Sequence, residues 1–213
     1  MANYRWTDYA DRSFQNRYPK DTIGFEVWRD LPRAGDFISR DFDFLARFDQ
    51  VPKRKYRKPR VFISHRQADA DYAERIAYLA CKQGFEYWLD IHDLNPPNSL
   101  NSGVAIASII EMALLNCSHV LAVYTSNTKG SEWVPYEYGR VKIHQLSSSN
   151  IACWIHNQAS GANKYIPEYF DLGMKTWNEK EINNWLSSEL ASFQNRNVIP
   201  SCTWNHPIPM PLP

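Results

Sequence analysis

The sequence lacks an excess of either charge. Its 213 residues include 24 lysines and arginines against 23 acidic side chains, which leaves a formal net charge of +1. A protein that binds nucleic acid or an anionic membrane through its overall field needs a strongly positive balance. We therefore expect no nucleic-acid partner.

Long apolar runs are also missing. The longest apolar stretch, residues 104–115, is interrupted by Ser108 and Glu111 and is too short to span a bilayer. The first residues are polar and aromatic, and they lack the apolar core of a signal peptide. These absences predict a cytoplasmic protein without a membrane partner.

Cysteine is sparse and never occurs in the C-x-x-C spacing. The four cysteines, Cys81, Cys117, Cys153 and Cys202, are far apart in the chain. This pattern argues against a zinc site and against a disulfide scaffold. We expect no bound metal, and we expect the four side chains to be buried thiols in a reducing cytosol.

From Arg60 onward, apolar runs of strand length alternate with amphipathic segments of helix length. This alternation indicates an α/β protein with a doubly wound parallel sheet. Residues 90–103, rich in Asn and Pro, are predicted to form a long ordered loop. A capping box formed by Asn178 and Glu181 begins the last helix. The predicted strands are 61–64, 85–89, 119–124 and 151–155, and the predicted helices are 68–83, 104–116, 133–145 and the segment from Asn178.

The two ends of the chain do not follow this alternation. Residues 1–59 are rich in aromatic side chains, which predicts that they fold onto the core. A basic run from Lys53 to Arg60 follows, and we interpret it as a solvated linker, with contact to nucleic acid phosphates as the alternative. Residues 196–213 form a Pro-rich tail, of which residues 207–213 are predicted to be polyproline II. The tail is either a strap, a frayed end or a ligand for a groove.

The strongest candidate for chemistry lies in residues 131–137, which read Ser-Glu-Trp-Val-Pro-Tyr-Glu. Pro135 is tolerated only in the first turn of a helix, so the helix is predicted to begin at 131–134 with Ser131 as its N-cap. Trp133 and Glu137 are four residues apart and share one helical face. The preceding buried strand places Glu137 near the edge where parallel sheets bind ligands.

Four motifs follow one another along the chain: R-V-F-I-S-H at 60–65, W-L-D at 88–90, the run 120–126 and S-E-W-x-x-x-E at 131–137. In this order they resemble a TIR domain (the Toll/interleukin-receptor fold) of the bacterial type. The resemblance covers residues 60–195 and implies a flavodoxin-like sheet with strand order 2-1-3-4-5. The loop departs from the family pattern, because Pro96-Pro97-Asn98 stands where a Pro-Gly pair is common.

The resemblance implies cleavage of the nicotinamide–ribose bond of NAD+, with Glu137 as the catalytic residue. NAD+ is then the substrate, and no cofactor is required. Nicotinamide leaves as a neutral molecule and needs no proton, so one carboxylate that stabilises the developing positive charge suffices. The alternative for Glu137 is a solvated carboxylate that the helix dipole favours.

The other residues expected to contact the substrate end the first two strands or lie in the segments that follow the strands. Trp133 is interpreted as a wall of the ribose or base site, with a core position as an equal alternative. Asp90 could equally cap the loop through an Asx turn. His65 and His92 flank the cleft and are interpreted as structural. The substrate-binding set is Phe62, Ile63, Ser64, Asp90, Leu94, Ser126 and Trp133.

The resemblance extends to TIR proteins of Thoeris-type anti-phage defence. It implies an NAD+ glycohydrolase or ADP-ribosyl cyclase that makes a cyclic or conjugated nucleotide signal for a separate effector protein. It also implies self-association through TIR–TIR contacts made by the loop 90–103, where Leu94 is expected to contribute. The alternative for this loop is a lid that closes over the ligand within one subunit. Two alternatives stay open: a non-catalytic TIR–TIR adaptor, and an enzyme resembling nucleoside 2-deoxyribosyltransferases in which Glu137 is a covalent nucleophile.

Overall fold

The computed structural model describes residues 59–93, 103–140, 150–159, 165–194 and 202–213. Several predictions fall outside these ranges: the N-terminal extension and its docking, the basic residues 53–58, and most of the loop 90–103. Leu94 and the Pro96-Pro97-Asn98 turn are among them, as is the side chain of His92.

One parallel sheet forms the centre of the domain. Its strand order is β2-β1-β3-β4-β5, and every pairing is parallel. This confirms the predicted α/β class with a flavodoxin-like sheet, including the strand order that the resemblance implied. The strands are β1 (Arg60–Ser64), β2 (Glu86–Trp88), β3 (His119–Tyr124), β4 (Ile151–Ile155) and β5 (Met174–Thr176).

The helices of the described ranges are α1 (Ala70–Lys82), α2 (Asp90–Asp93), α3 (Gly103–Asn116), α4 (Trp133–Arg140) and α5 (Glu179–Gln194). The prediction of a loop from Asp90 is wrong for its first four residues, which form α2. Asp90 Oδ1 accepts the N–H of Ile91 at 2.7 Å, which satisfies one of the backbone donors left open at a helix start.

Two hydrophobic cores lie on opposite faces of the sheet. Along β3, Val120, Ala122 and Tyr124 face the core formed with α3 and α4. Leu121 and Val123 face the core formed with α1 and α5. Strands buried on both faces need apolar side chains at nearly every position, which is why they read as continuous apolar runs in the sequence.

Helix ends follow the predicted signals. Gly84 has a φ of +93°, and it ends α1 with a pair of bonds from Gly84 N to Cys81 O at 2.9 Å and from Phe85 N to Ala80 O at 3.0 Å. Glycine adopts this left-handed conformation at the end of a helix without strain. At the start of α5, Asn178 Oδ1 accepts the N–H of Glu181 at 3.0 Å, as the capping box predicts.

Arg60 is buried, so the interpretation of the basic run as a solvated linker is wrong for this residue. Its Nη1 donates to the carbonyl of Asn116 at 2.6 Å, and its Nε donates to Glu86 Oε2 at 3.0 Å. A buried guanidinium needs such partners because an unpaired charge is costly away from water. Arg60 therefore belongs to the sheet and ties β1 to β2 and α3.

The C-terminal segment 202–213 is packed as a strap against α1 and α5. Cys202 forms a disulfide with Cys81, and the Trp204 ring lies 5.5 Å from that of Tyr78. The expectation of four thiols is therefore wrong for Cys81 and Cys202, because residues separated by 121 positions give no local sign of their pairing. Cys117 and Cys153 are buried thiols, as expected.

Within the described ranges, no helix is both long enough and apolar enough to cross a membrane.

Candidate active site

The first turn of α4 is organised as the sequence predicts. The helix begins at Trp133, and Ser131 Oγ accepts the N–H of Val134 at 3.3 Å. Pro135 lies in this first turn, where its missing N–H has no helical partner to lose. One turn after Trp133, Glu137 is turned towards the carboxyl end of β1.

Glu137 is a buried carboxyl group, with 6% of its surface exposed. Ser64, the last residue of β1, donates its hydroxyl to Glu137 Oε2 at 2.5 Å. Since the two residues are 73 positions apart, this contact exists only through the fold. It places a carboxyl group at the ligand-binding edge of a parallel sheet.

The surroundings of Glu137 oppose its negative charge. Burial raises its pKa, the hydrogen bond from Ser64 lowers it and the charge of Asp90 raises it, and together these effects place the pKa at about 8. Burial dominates because a carboxylate loses its hydration in the protein interior. Such a raised pKa is typical of functional carboxyl groups and also occurs in structural ones.

Asp90 lies at the start of α2 with 35% of its side chain exposed. His65 follows β1 directly, and its side chain is 1% exposed. His65 Nε2 lies 3.2 Å from Asp90 Oδ1, within range of an ion pair, although the two atoms are not aligned as a hydrogen bond. The site therefore combines two carboxyl groups, a hydroxyl and an imidazole.

Trp133 is exposed, with 44% of its surface open to solvent, so the core alternative for this residue is wrong. Its ring meets that of Tyr136 edge to face at 5.9 Å. The two rings form an open aromatic surface on the first turn of α4, beside the buried Glu137. An exposed aromatic ring of this kind suits contact with a ribose or a base.

Three other predicted substrate-binding residues, Phe62, Ile63 and Ser126, do not share the surroundings of Glu137. Phe62 is buried beneath the site and stacks on Trp88 at 4.7 Å, whereas Ile63 points into the core on the opposite face of the sheet. Ser126 is exposed in a short 3-10 helix after β3. Their contact with a substrate stays a prediction, as does that of Leu94.

Asp69 is a residue that sequence reasoning missed. It is buried, and its carboxylate accepts the Thr125 hydroxyl at 3.0 and 2.9 Å and the Asn127 side-chain amide at 2.7 Å. These bonds join the segment after β1 to the segment after β3. The sequence held only a weak signal, an acidic residue shortly after a strand, because both partners come from a distant segment.

Among the described side chains, no group of three or more His, Cys, Asp or Glu residues is placed to hold a metal ion. The polar groups gathered at this edge are those of Glu137, Ser64, Asp90 and His65. These groups can bind a cation, stabilise a developing positive charge and exchange a proton.

Comparison with known proteins gives one result that bears on this geometry. Residues 61–155 match the family model of the TIR domain. The matched range begins in β1 and ends with β4, so it includes Ser64, Asp90 and Glu137. No match was found among curated proteins. We conclude that the chain contains a TIR-domain segment, residues 61–155, within a flavodoxin-like parallel sheet.

Proposed function

We propose that this protein cleaves the nicotinamide–ribose bond of NAD+ and that Glu137 is its catalytic residue. The observation that carries the proposal is the placement of Glu137, which is buried at the carboxyl edge of the sheet and bonded to Ser64 at 2.5 Å. The TIR match supports the proposal, since this family includes NAD+-cleaving enzymes.

The reaction breaks the bond between the anomeric carbon and the pyridinium nitrogen. The electron pair of that bond goes to the nitrogen, so the leaving group departs as neutral nicotinamide. Positive charge then develops on the ribose, as in the oxocarbenium-like transition states of glycoside hydrolysis. A fixed carboxylate next to the anomeric carbon stabilises this charge, and the acceptor is water or another nucleophile.

The raised pKa of Glu137 suits this role. A group with a pKa of about 8 is largely neutral in the empty site at pH 7. A bound cation favours the ionised form of a neighbouring carboxyl group. The pyridinium of NAD+ is such a cation, so substrate binding promotes the form of Glu137 that stabilises the transition state.

The test compares Glu137→Gln with Glu132→Gln. Glu132 is exposed just before the same helix, so both variants lose one carboxylate from one segment of the chain. We expect Glu137→Gln to release nicotinamide about 10²–10³ times more slowly, the usual cost of one well-placed electrostatic group. We expect Glu132→Gln to match the wild type. Equal rates in all three folded proteins would refute the assignment.

The non-catalytic adaptor is favoured by a different observation. Trp133 and Tyr136 form an exposed aromatic pair, and such surfaces also mark protein contacts. An adaptor would self-associate through this pair, and NAD+ would remain intact in its presence. A wild type that forms oligomers and releases no nicotinamide under any condition would support the adaptor.

The finer assignments rest on the enzymatic proposal. A cyclic or conjugated ADP-ribose signal, a separate effector protein and a role in anti-phage defence follow from the resemblance to Thoeris-type proteins. A 2-deoxyribosyltransferase would instead pass a deoxyribosyl group through a covalent bond to Glu137. Chromatography of the products formed from NAD+ and from a deoxynucleoside separates these outcomes.

A further inference from the structure

Asp69 lies at the edge of the sheet where β1 and β3 end side by side. Ser64, the last residue of β1, is paired in register with Ala122 of β3. Because the two strands are parallel neighbours, the segments that follow them leave the sheet at the same edge. Asp69 belongs to the segment between β1 and α1, and Thr125 directly follows β3.

The side chain of Asp69 binds the segment after β3 through three contacts. The hydroxyl of Thr125 lies 3.0 Å from its Oδ1 and 2.9 Å from its Oδ2, and the amide of Asn127 donates to Oδ1 at 2.7 Å. Asp69 is buried, and a buried carboxylate that loses its donors is costly. The segment after β3 therefore cannot move away from Asp69 without a large penalty.

A series of hydrogen bonds leads from this segment to α4. The carbonyl of Thr125 accepts the N–H of Thr128 at 3.2 Å, and the carbonyl of Thr128 accepts the N–H of Ser131 at 3.0 Å. Ser131 Oγ in turn accepts the N–H of Val134 in the first turn of α4. The start of α4 is thus connected to the segment after β3 through consecutive turns.

Glu137, one turn into α4, returns to the segment that contains Asp69. Its Oε2 accepts the hydroxyl of Ser64 at 2.5 Å, and Ser64 is the residue at which that segment leaves β1. The same two parts of the chain are therefore joined twice, once through Asp69 and once through Glu137. The first contact restricts the movements that could break the second.

We propose that Asp69 is a positioning residue: it fixes the segment from which α4 begins and thereby keeps Glu137 within hydrogen-bonding distance of Ser64. Asp69 acts through residues 125–134 and not by contact with the reacting atoms. The placement of Glu137 can be tested without any ligand, whereas the consequence for NAD+ rests on the proposed function.

The test uses two variants that weaken the contact and one that preserves it. Asp69→Asn keeps the size of the side chain but offers one acceptor oxygen in place of two. Asn127→Ala removes a donor to Asp69 at an exposed position, so it should fold even if Asp69→Asn does not. Thr125→Ser is the control, because it keeps the hydroxyl that donates to Asp69.

The first measurement is the change in the pKa of Glu137 that Ser64→Ala causes in each background, followed by carbon NMR. The hydroxyl of Ser64 lowers this pKa, so its removal raises the pKa in the wild type. We expect the same rise in Thr125→Ser. In Asp69→Asn we expect less than about half of it, because the bond to Ser64 is already weakened there. Asn127→Ala should reduce the rise in the same direction.

This comparison separates the placement of Glu137 from other effects. The charge that Asp69→Asn removes is missing from both proteins of its pair, so its direct effect on Glu137 cancels, and the charge of Asp90 is present in all of them. A general loss of stability leaves the effect of Ser64 in each folded molecule unchanged. A rise as large as that of the wild type in folded Asp69→Asn would overturn the proposal. If that variant does not fold, an undiminished rise in Asn127→Ala would do so.

The second measurement is the division of any loss between kcat and KM for NAD+. Glu137 acts on charge that develops in the transition state, and a small misplacement of such a group lowers the rate by up to about 10²-fold. We expect Asp69→Asn to lower kcat about tenfold or more with KM changed less than about threefold, and Thr125→Ser to match the wild type. A loss confined to KM would overturn the proposal. Failure of the proposed function appears separately, as a wild type that releases no nicotinamide, and the titration then still decides the role of Asp69.

Discussion

Glu137 is held in a site that favours its neutral form, and its neighbours influence the pKa in opposite directions. Ser64 donates a hydrogen bond that lowers the pKa, while burial and the charge of Asp90 raise it. If the carboxylate is the active form, kcat/KM for NAD+ must rise with pH through the pKa of the free enzyme, about 8. Each neighbour can then be tested by the direction in which its removal moves this profile.

Ser64→Ala is expected to move the rise of kcat/KM to higher pH. The substitution removes the hydroxyl that stabilises the carboxylate, so the pKa of Glu137 increases. Nicotinamide release measured between pH 6 and about 9.5 checks this shift, since that window spans the pKa. Ser188→Ala, an exposed position on α5, is the control and should leave the profile in place. A shift of Ser64→Ala to lower pH would contradict the assignment of this hydrogen bond.

Glu137 should also link stability to pH. Its pKa is raised from 4.5 to about 8, so the folded state binds this proton more tightly than the unfolded chain. The resulting stability is fully present below the unfolded pKa and is lost as pH rises through the folded pKa. Relative to Glu137→Gln, the wild type should lose stability between these two values by at most about 1.4 kcal/mol per pH unit.

Urea unfolding of both proteins at pH 5 and pH 8 measures this link. Glu137→Gln serves as the reference for the wild type because it carries every other titrating group of the wild type. A stability difference between the two proteins that is the same at both pH values would show that Glu137 titrates normally.

At the scale of elements, the backbone at Gly173, just before β5, passes very close to Ile151 of β4 and Tyr138 of α4. A Cβ at this position would lie 2.6 Å from the carbonyl oxygen of Ile151 and would overlap the hydroxyl of Tyr138. Backbone cannot move aside as a flexible side chain can. Only glycine allows the chain that enters β5 to pass this close to α4 and β4.

Gly173→Ala is therefore expected to destabilise the protein by about 1–3 kcal/mol, the usual cost of overpacking. The matched control is Gly139→Ala within α4, where an added Cβ has no heavy atom within 4 Å. Alanine is favoured over glycine in a helix by about 1 kcal/mol, so the control should be neutral or stabilising. Thermal unfolding measures the stability of the two variants, and equal changes in stability would rule out the steric explanation.

The elements differ in how far local sequence predicts them. β3 and β4 are continuous apolar runs with bounds that the pattern predicts, and Gly84 marks the end of α1. β5 was not predicted, because Met174-Lys175-Thr176 is short and carries no apolar pattern. It is a strand because Thr176 and its neighbours pair with β4.

At the scale of the whole molecule, the disulfide joins the C-terminal strap to α1. Arg75 Nη1 donates to the carbonyl of Pro209 at 3.0 Å, and the N–H of Leu212 donates to Glu179 Oε1 at 2.8 Å. Disulfides persist mainly in oxidising compartments. The pair Cys81–Cys202 thus stands against the cytoplasmic expectation, which remains a prediction.

Reduction of the disulfide is expected to lower the stability of the protein. The bond closes a chain segment of 121 residues. In the chain-entropy model, a loop of that size contributes about 5 kcal/mol. Thermal unfolding with and without a reductant measures the effect, and mass spectrometry establishes that the bond is broken.

The control for this experiment is Cys202→Ser, which has no disulfide to lose. Its melting temperature should resemble that of the reduced wild type, and the reductant should not change it further. A reduced wild type that melts at the same temperature as the oxidised protein would show that the disulfide contributes no stability.

The sequence by itself determined the features that depend on neighbouring residues. The α/β class follows from apolar runs alternating with amphipathic segments, and the start of α4 follows from Pro135 and Ser131. Glu137 could be placed near the ligand edge because it follows a buried strand. These predictions succeed since hydrogen bonding, sterics and burial within one element involve residues a few positions apart.

The tertiary structure alone decided which distant groups meet. The bond between Ser64 and Glu137, the disulfide of Cys81 with Cys202, and the pairing of Arg60 with Glu86 join residues separated by 73, 121 and 26 positions. The pKa of Glu137 has the same origin, because burial is the sum of contacts from several elements. Local pattern carries no information on such contacts, since packing sets them only after the strands have paired.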